Sequence, residues 1–255
     1  MEKHLLPNMA IIGSGRVATS LGLFLISKGI SISGIHSRNK ETGTACAELF
    51  KCPFHASIKE LDAKLILVAT TDDQTVSIIN EIDKNQNVVY TAGSVELSEI
   101  EHPRSGVFYP LQTFSSSEKL EEINFPVLIE TKSDELRKML ETLCQVCGIE
   151  TEYCTSEKRK EYHLVAVFIN NFMNHIAHIA KTENTNRNLN WNILTPLLDK
   201  TISNILNNNL LESQTGPASR SDNSVISKHE SMLSDNHLEV YKALTESIKK
   251  TIKSK

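Results

Sequence analysis

The segment "MAIIGSGRVATSLGLFLISKG", residues 9 to 29, constrains this chain more than any other. An apolar run with strand character passes into Gly13-Ser14-Gly15-Arg16-Val17-Ala18, and a helical pattern begins at once. This is the G-x-G-x-x-G/A arrangement that opens a βαβ unit in dinucleotide-binding folds. Gly13 permits the tight turn, Gly15 lets the backbone approach a pyrophosphate, and Ala18 lets the helix pack on the strand. Free N–H groups at the helix start face the anion, so Ser14, Arg16 and Val17 complete the candidate cofactor loop. A glycine loop of this kind alone is weak; here the strand before it, the helix after it and a second strand at the right distance support it.

The first half of the chain continues the alternation that a parallel sheet with crossover helices requires. Further strands are expected at Ile32–His36, Leu65–Ala69, Val88–Thr91, Val107–Tyr109, Val127–Glu130 and Ile149–Tyr153. Thr71 and Ser133 precede helical patterns that carry acid in the first turn, where the helix dipole favours it. After about residue 155 the strands stop. The expected fold is α/β, with an N-terminal Rossmann domain over residues 1–155 and an all-α domain over 156–255.

The end of the second strand chooses the cofactor. NAD enzymes place an acid there for the ribose 2′-hydroxyl, whereas "GIHSRNK" offers Ser37 and Arg38 and no carboxylate before Glu41. A hydroxyl and a guanidinium suit a 2′-phosphate, so NADP(H) is the expected cofactor. The same reading counts against a methyltransferase built on S-adenosylmethionine, which would use a ribose-binding acid. Thr70, Thr71 and Asp72 in "VATTDD", and Gly93 and Ser94 in "VVYTAGS", end strands at the carboxyl edge where ligands of open α/β sheets sit. Turn and cap roles account for them equally well.

Charge and composition exclude several classes. A net charge of −4, from 27 basic and 31 acidic residues mixed along the chain, leaves no basic stripe to track nucleic acid. Pro7 and Asn8 break the apolar run of the N-terminus, and no apolar run nears the roughly 18 residues of a membrane helix, so a cytoplasmic protein is expected. Five scattered cysteines suit a reducing compartment. Cys144 and Cys147 form a C-x-x-C, but it reads as the last turn of a helix closed by Gly148, and no metal site is expected.

Residues 156–181 read as one long helix whose centre, "HLVAVFINNFMNHIAHIA", is apolar on nearly every face and therefore reads as buried, by a helical bundle and a partner subunit together. At about 100° per residue, His163, Asn170 and Asn174 fall near one line, with Asn171 to one side. Polar groups on such a helix need partners; a histidine there could donate a proton to a carbonyl or imine, or could be a satisfied structural residue. A second helix is read over Trp191–Leu211 and a third over Val225–Leu233. Between them "SQTGPASRSDN" carries far more polar chemistry than a turn requires.

Together these motifs resemble a known family: Rossmann-like proteins with a DUF2520 C-terminal domain, distant kin of 6-phosphogluconate dehydrogenase and pyrroline-5-carboxylate reductase. The residues that carry the resemblance are "GSGRVATSLG" (13–22), "YPLQTFS" (109–115), "EYHLVAVFINNF" (161–172) and "TGPASRSDNSV" (215–225), in order along nearly the whole chain. The resemblance implies a reductase using NADPH, dimeric through its helical domain, with the active site in the cleft between domains. By position it makes His163 and Asn171 the catalytic candidates. Gln112, Thr113, Asn170, Thr215, Gly216, Pro217, Arg220 and Asp222 become candidates for holding a small-molecule substrate, Arg220 by gripping the substrate's carboxylate. Asp222 reads equally as a helix cap. Two departures stand out: the family usually has His where this chain has Tyr109, and Gly where it has Ser221. A small 2-oxo acid, ketopantoate-like, or a related imine is the expected substrate; a non-catalytic NADP(H)-binding sensor or assembly protein is the rival.

Overall fold

The computed structural model describes residues 7–114, 125–207 and 210–253. Ser115, the last residue of "YPLQTFS", and part of the expected Trp191–Leu211 helix lie outside them. The chain divides into two compact units, one ending at Asn171 and the other beginning at Phe172.

The first unit is built on a sheet whose strands are β1 (Met9–Ile12), β2 (Ile32–His36), β3 (Phe54–His55), β4 (Leu65–Val68), β5 (Asn87–Tyr90), β6 (Ser105–Pro110), β7 (Val127–Thr131) and β8 (Thr151–Tyr153). Their order across the sheet is β3-β2-β1-β4-β5-β6-β7-β8. Side chains alternate between two cores, as the period of a strand demands. Met9 and Ile11, Leu65 and Leu67, and Val89 join one cluster; Ala10 and Ile12, Ile66 and Val68, and Val88 and Tyr90 join the other. The crossover helices α1 (Arg16–Ser27) and α2 (Lys40–Phe50) supply Leu21, Phe24, Leu25 and Phe50 to the first cluster, and α3 (Asp72–Glu81) supplies Ile79 to the second.

The expected strands are present, with ends shifted by a residue or two. The two-residue β3 was missed, being too short to show an alternation. The sheet is also not wholly parallel: β7 runs antiparallel to β6, with Phe108 opposite Ile129. An apolar strand carries no mark of its direction. After β7, helix α4 (Asp134–Cys147) starts on Ser133, whose hydroxyl accepts from the Leu136 N–H, and ends on Gly148 at φ 68°. Cys144 and Cys147 are buried in its last turn, and burial pushes their thiols up to about 12 and about 11. Among the described residues no group of His, Cys, Asp and Glu could hold a metal ion.

The expected long helix runs without a break but not as one uniform α-helix. Helix α5 spans Ser156–Ala166, a π-helical stretch follows over Val167–Phe172, and α6 spans Met173–Asn186. A π turn takes in an extra residue, which sets the helical phase back by about 100°. His163 and Asn174 therefore do not share the line that a uniform helix would give them. Nor is this stretch buried in the chain: Leu164, Val165 and Ile169 are all more than half exposed.

The second unit continues with a short 3₁₀ turn at Trp191–Ile193, then α7 (Thr195–Leu206), α8 (Asn223–Ser231) and α9 (Asp235–Lys253). The helix expected from Trp191 thus starts later, with Pro196 in its first turn. Polar contacts tie α6 to the helices after it: Glu183 pairs with Arg187 beside it and with His237 of α9, and Arg187 donates to the Met232 carbonyl at the end of α8 at 2.6 Å. Among the described residues of this unit only Asn184, Ala218, Ile226 and Thr245 are buried. No helix among the described residues is long and apolar enough to cross a membrane.

Candidate functional site

The strand order reverses at β1, where β2 leaves to one side and β4 to the other, and ligands of open α/β sheets bind at the carboxyl ends of such strands. A cavity of about 750 Å³ lies there, lined by Gly13, Ser14, Gly15, Arg16, Val17, Ser37, Arg38, Thr70, Thr71 and Asp72 among others. The backbone explains the glycines. Gly13 sits at φ 124°, and a Cβ on it would lie 2.2 Å from the Ala69 carbonyl oxygen at the end of β4. A Cβ on Gly15 would meet nothing within 4 Å, so that face of the loop is open to a ligand. Ala18 is fully buried beneath the loop, in the core shared with β1.

At the β2 end, the Ser14 hydroxyl lies 2.8 Å from that of Ser37 and 2.6 Å from that of Thr42. Asn39 caps α2, its side chain accepting from the Thr42 N–H. Arg38 is exposed beside this cluster in the sequence, with no ion pair among the described residues. The residues fit a nucleotide: a loop open to phosphate, three hydroxyls, an uncommitted guanidinium and no acid where β2 ends. Thr42 was missed, although its spacing of three from Asn39 is that of a capped helix start.

Farther along the same edge, Thr70 Oγ1 lies 3.3 Å from buried Thr75 Oγ1, and the Ser94 hydroxyl donates to Asp72. Thr71 precedes α3 but makes no side-chain cap. Gly93 is buried against two rings: a Cβ there would come within 3.0 Å of Tyr109 Cε2 and 3.3 Å of His163 Nδ1. Tyr109 Oη and His163 Nδ1 are 2.9 Å apart, and their rings meet edge to face. The structure therefore brings His163 of α5 to the end of β6. Gln112 and Thr113 follow β6 and are exposed, the Gln112 side chain turning back to accept from the Thr113 N–H. Asn170 and Asn171, in the π stretch, are exposed.

What fixes α5 was not legible at all. Arg159, 0% exposed, donates to Gly93 O at 3.2 Å and to Val95 O, and pairs with Glu130 Oε2 at 2.6 Å. Ser156 joins the network, donating to Glu130 Oε2 at 2.6 Å and accepting from the Leu97 N–H at 2.9 Å. In "SEKRKEY" this arginine reads as one more surface charge.

In the second unit, "TGPASRSDNSV" is a compact loop held by its own backbone. The Asp222 N–H donates to Pro217 O at 2.9 Å, the Ser219 hydroxyl donates to Gly216 O at 2.9 Å, and Gly216 takes φ 102°. Asp222 caps α8, accepting from the Val225 N–H at 3.2 Å. Of its two readings the cap is the one observed. Ala218 turns inward, while Thr215 and Arg220 are exposed.

Residues 125–248 match the family model described as "Domain of unknown function (DUF2520)". A solved structure of BF3122 from Bacteroides fragilis, whose name proposes an NADP oxidoreductase, is 31% identical, with a TM-score of 0.87 over 96% of this chain and 99% of that one. The chain belongs to the Rossmann-like, DUF2520 domain-containing family. Protein TM1727 from Thermotoga maritima is 20% identical, with a TM-score of 0.63 over 96% of this chain and 98% of that one. The 1-pyrroline-5-carboxylate reductase of Streptococcus pyogenes, 12% identical, shares the fold with a TM-score of 0.60 over 98% of this chain and 100% of that one. No curated protein sequence matches the chain.

Within the DUF2520 family frame, both departures fall at structurally specific points. Ser221 stands at φ 56°, the left-handed region where the family's usual glycine would carry no strain. Tyr109, in place of the usual histidine, is the residue that meets His163.

Proposed function

We propose that this protein is an NADPH-dependent oxidoreductase that reduces a small 2-oxo acid, ketopantoate-like, or a related imine. The observation that carries this reading is the cavity at the reversal of strand order, lined by the glycine loop and by Ser37 and Arg38. Its volume of about 750 Å³ falls in the range of cofactor sites. Gly13 to Ala18 would hold the pyrophosphate, Ser37 and Arg38 the 2′-phosphate, and Thr70, Thr71, Asp72, Gly93 and Ser94 the path toward the nicotinamide.

The nicotinamide, when bound, supplies the hydride chemistry. The chain must then orient the acceptor and deliver one proton to the oxygen or nitrogen left negative by hydride addition. In this reading His163 donates that proton or polarises the carbonyl, and Asn171 orients the substrate. Arg220 holds the substrate carboxylate through two hydrogen bonds, as a guanidinium can. Gln112, Thr113, Asn170, Thr215, Gly216 and Pro217 complete the substrate side, with Asp222 holding the loop's end as the α8 cap.

NADPH oxidation against ketopantoate, pyruvate, 2-oxoisovalerate and cyclic imines tests the reading. Turnover with one class is expected, with His163→Ala lowering kcat by roughly 10²–10⁴-fold and Arg220→Ala raising KM. Wild-type kinetics in both variants would remove the residue assignment. Tight NADPH binding without turnover on any of these substrates would instead favour a non-catalytic NADP(H)-binding sensor or assembly protein.

A further inference from the structure

The Tyr109 hydroxyl, in contact with His163, is a polar group that the reading above leaves without a task. Tyr109 is half-buried near the end of β6, where the ladder to β7 holds its backbone opposite Leu128. His163 lies on α5 one turn after Arg159, whose buried guanidinium ties that helix to Gly93, Val95 and Glu130. Both ends of the 2.9 Å contact between Tyr109 Oη and His163 Nδ1 thus hang on fixed backbone. Gly93 permits it, since a side chain there would press on both rings. His163 is exposed, and its Nε2 has no hydrogen-bond partner among the described residues.

We propose that Tyr109 is a positioning residue that occupies Nδ1 of His163 and so reserves Nε2 for the substrate. The identity of what Nε2 meets rests on the reductase reading; the assignment of the ring nitrogens does not. A phenol suits the task because its oxygen both donates and accepts. With a neutral imidazole the Tyr109 O–H donates to a bare Nδ1, which leaves the ring proton on Nε2 as a donor to a carbonyl. With a protonated ring Nδ1–H donates to the phenol oxygen, and Nε2–H can give its proton up. After that transfer the neutral ring carries its proton on Nδ1; Nε2 takes a proton from solvent, and on return to the resting neutral ring Nδ1 gives up its own and again accepts from the Tyr109 O–H. Burial pushes the Tyr109 ionisation up and the nearby Asp72 adds to this, against a smaller opposing effect of Arg159, so the hydroxyl keeps its proton through the neutral range. The second ring nitrogen of a working histidine is commonly fixed by such a partner.

The test is ¹⁵N NMR of histidine-labelled protein, read beside steady-state kinetics of the wild type and Tyr109→Phe, which keeps the ring and removes only the hydroxyl. In the wild type the neutral His163 ring should show an unprotonated Nδ1 with the shift of a hydrogen-bonded acceptor. In Tyr109→Phe that shift should move to the value of a free ring nitrogen with both tautomers present, and kcat should fall by roughly ten- to a hundredfold, less than loss of the general acid itself costs. A protonated Nδ1 in the neutral ring of the resting, substrate-free wild type, or identical spectra for the two proteins, overturns the proposal. So does an unchanged kcat beside an altered spectrum in an active enzyme. If the wild type turns over nothing while its spectrum is as expected, the nitrogen assignment stands and the reductase reading falls.

Discussion

Arg38 and His102 show how differently single residues reveal themselves. Arg38 stands out by sequence position, just past the second strand of a glycine-loop unit, and it lines the cavity; its grip on a 2′-phosphate is part of the proposal. Arg38→Ala should weaken NADPH binding by about ten- to a hundredfold, the worth of roughly 1.5–3 kcal/mol for hydrogen bonds to a charged group, and leave NADH binding unchanged; titration of both cofactors reads this directly. His102 gave no signal, yet it is fully buried with both ring nitrogens engaged. Its Nδ1 accepts from the Arg104 N–H at 3.2 Å, so its Nε2–H donates to Asp83 O at 3.0 Å. Burial foremost holds its pKa below the ordinary value of 6.5, and a second ring proton would face the Arg104 N–H. The unfolded chain then binds the proton more readily than the folded one, so stability is full above about pH 6.5 and falls as the pH drops below it. Thermal midpoints measured from pH 7.5 to 5.5 should show that fall, and His102→Gln should flatten it.

Elements follow the same division. Strands and helices with strong period were legible, since β1, β4 and β5 are buried on both faces and read as continuous apolar runs. Two things were not. The antiparallel turn of β7 depends on pairing partners distant in sequence, and the π stretch at Val167–Phe172 depends on a hydrogen-bond pattern that side-chain spacing does not encode. Helix α5 belongs with the sheet because Arg159 ties it there, a contact made by one buried charge. Removing one partner of a buried pair typically costs about 3–5 kcal/mol; Glu130 keeps 22% side-chain exposure, so Arg159→Ala should cost somewhat less, about 2–4 kcal/mol. Urea unfolding checks the figure. Because the same guanidinium holds the Gly93 carbonyl, turnover should fall more than stability alone explains, under conditions where the variant is fully folded.

At the scale of the molecule, the helical unit buries too little of itself. Leu197 is 66% exposed and Ile193 74%, and among the described residues of the unit very few are buried beside the apolar ones left in water. Patches of this kind on a folded chain mark an interface, and the proposal of a homodimer through the helical region accounts for them. Leu197→Glu should convert a dimer to a monomer in sedimentation at micromolar concentration; a wild type that sediments as a monomer there ends the proposal. The two margins of the sheet bear on the same question. Strand β3 has 2 residues and β8 has 3, the shortest in the sheet, and they stand at its two open ends. An edge that short offers a neighbouring chain few free N–H and C=O groups to extend the ladder, which is how natural sheets avoid fibre-like growth. Self-association by added strands is thereby discouraged, and what assembly the chain undertakes is left to side chains on helices, where it can close on itself and stop.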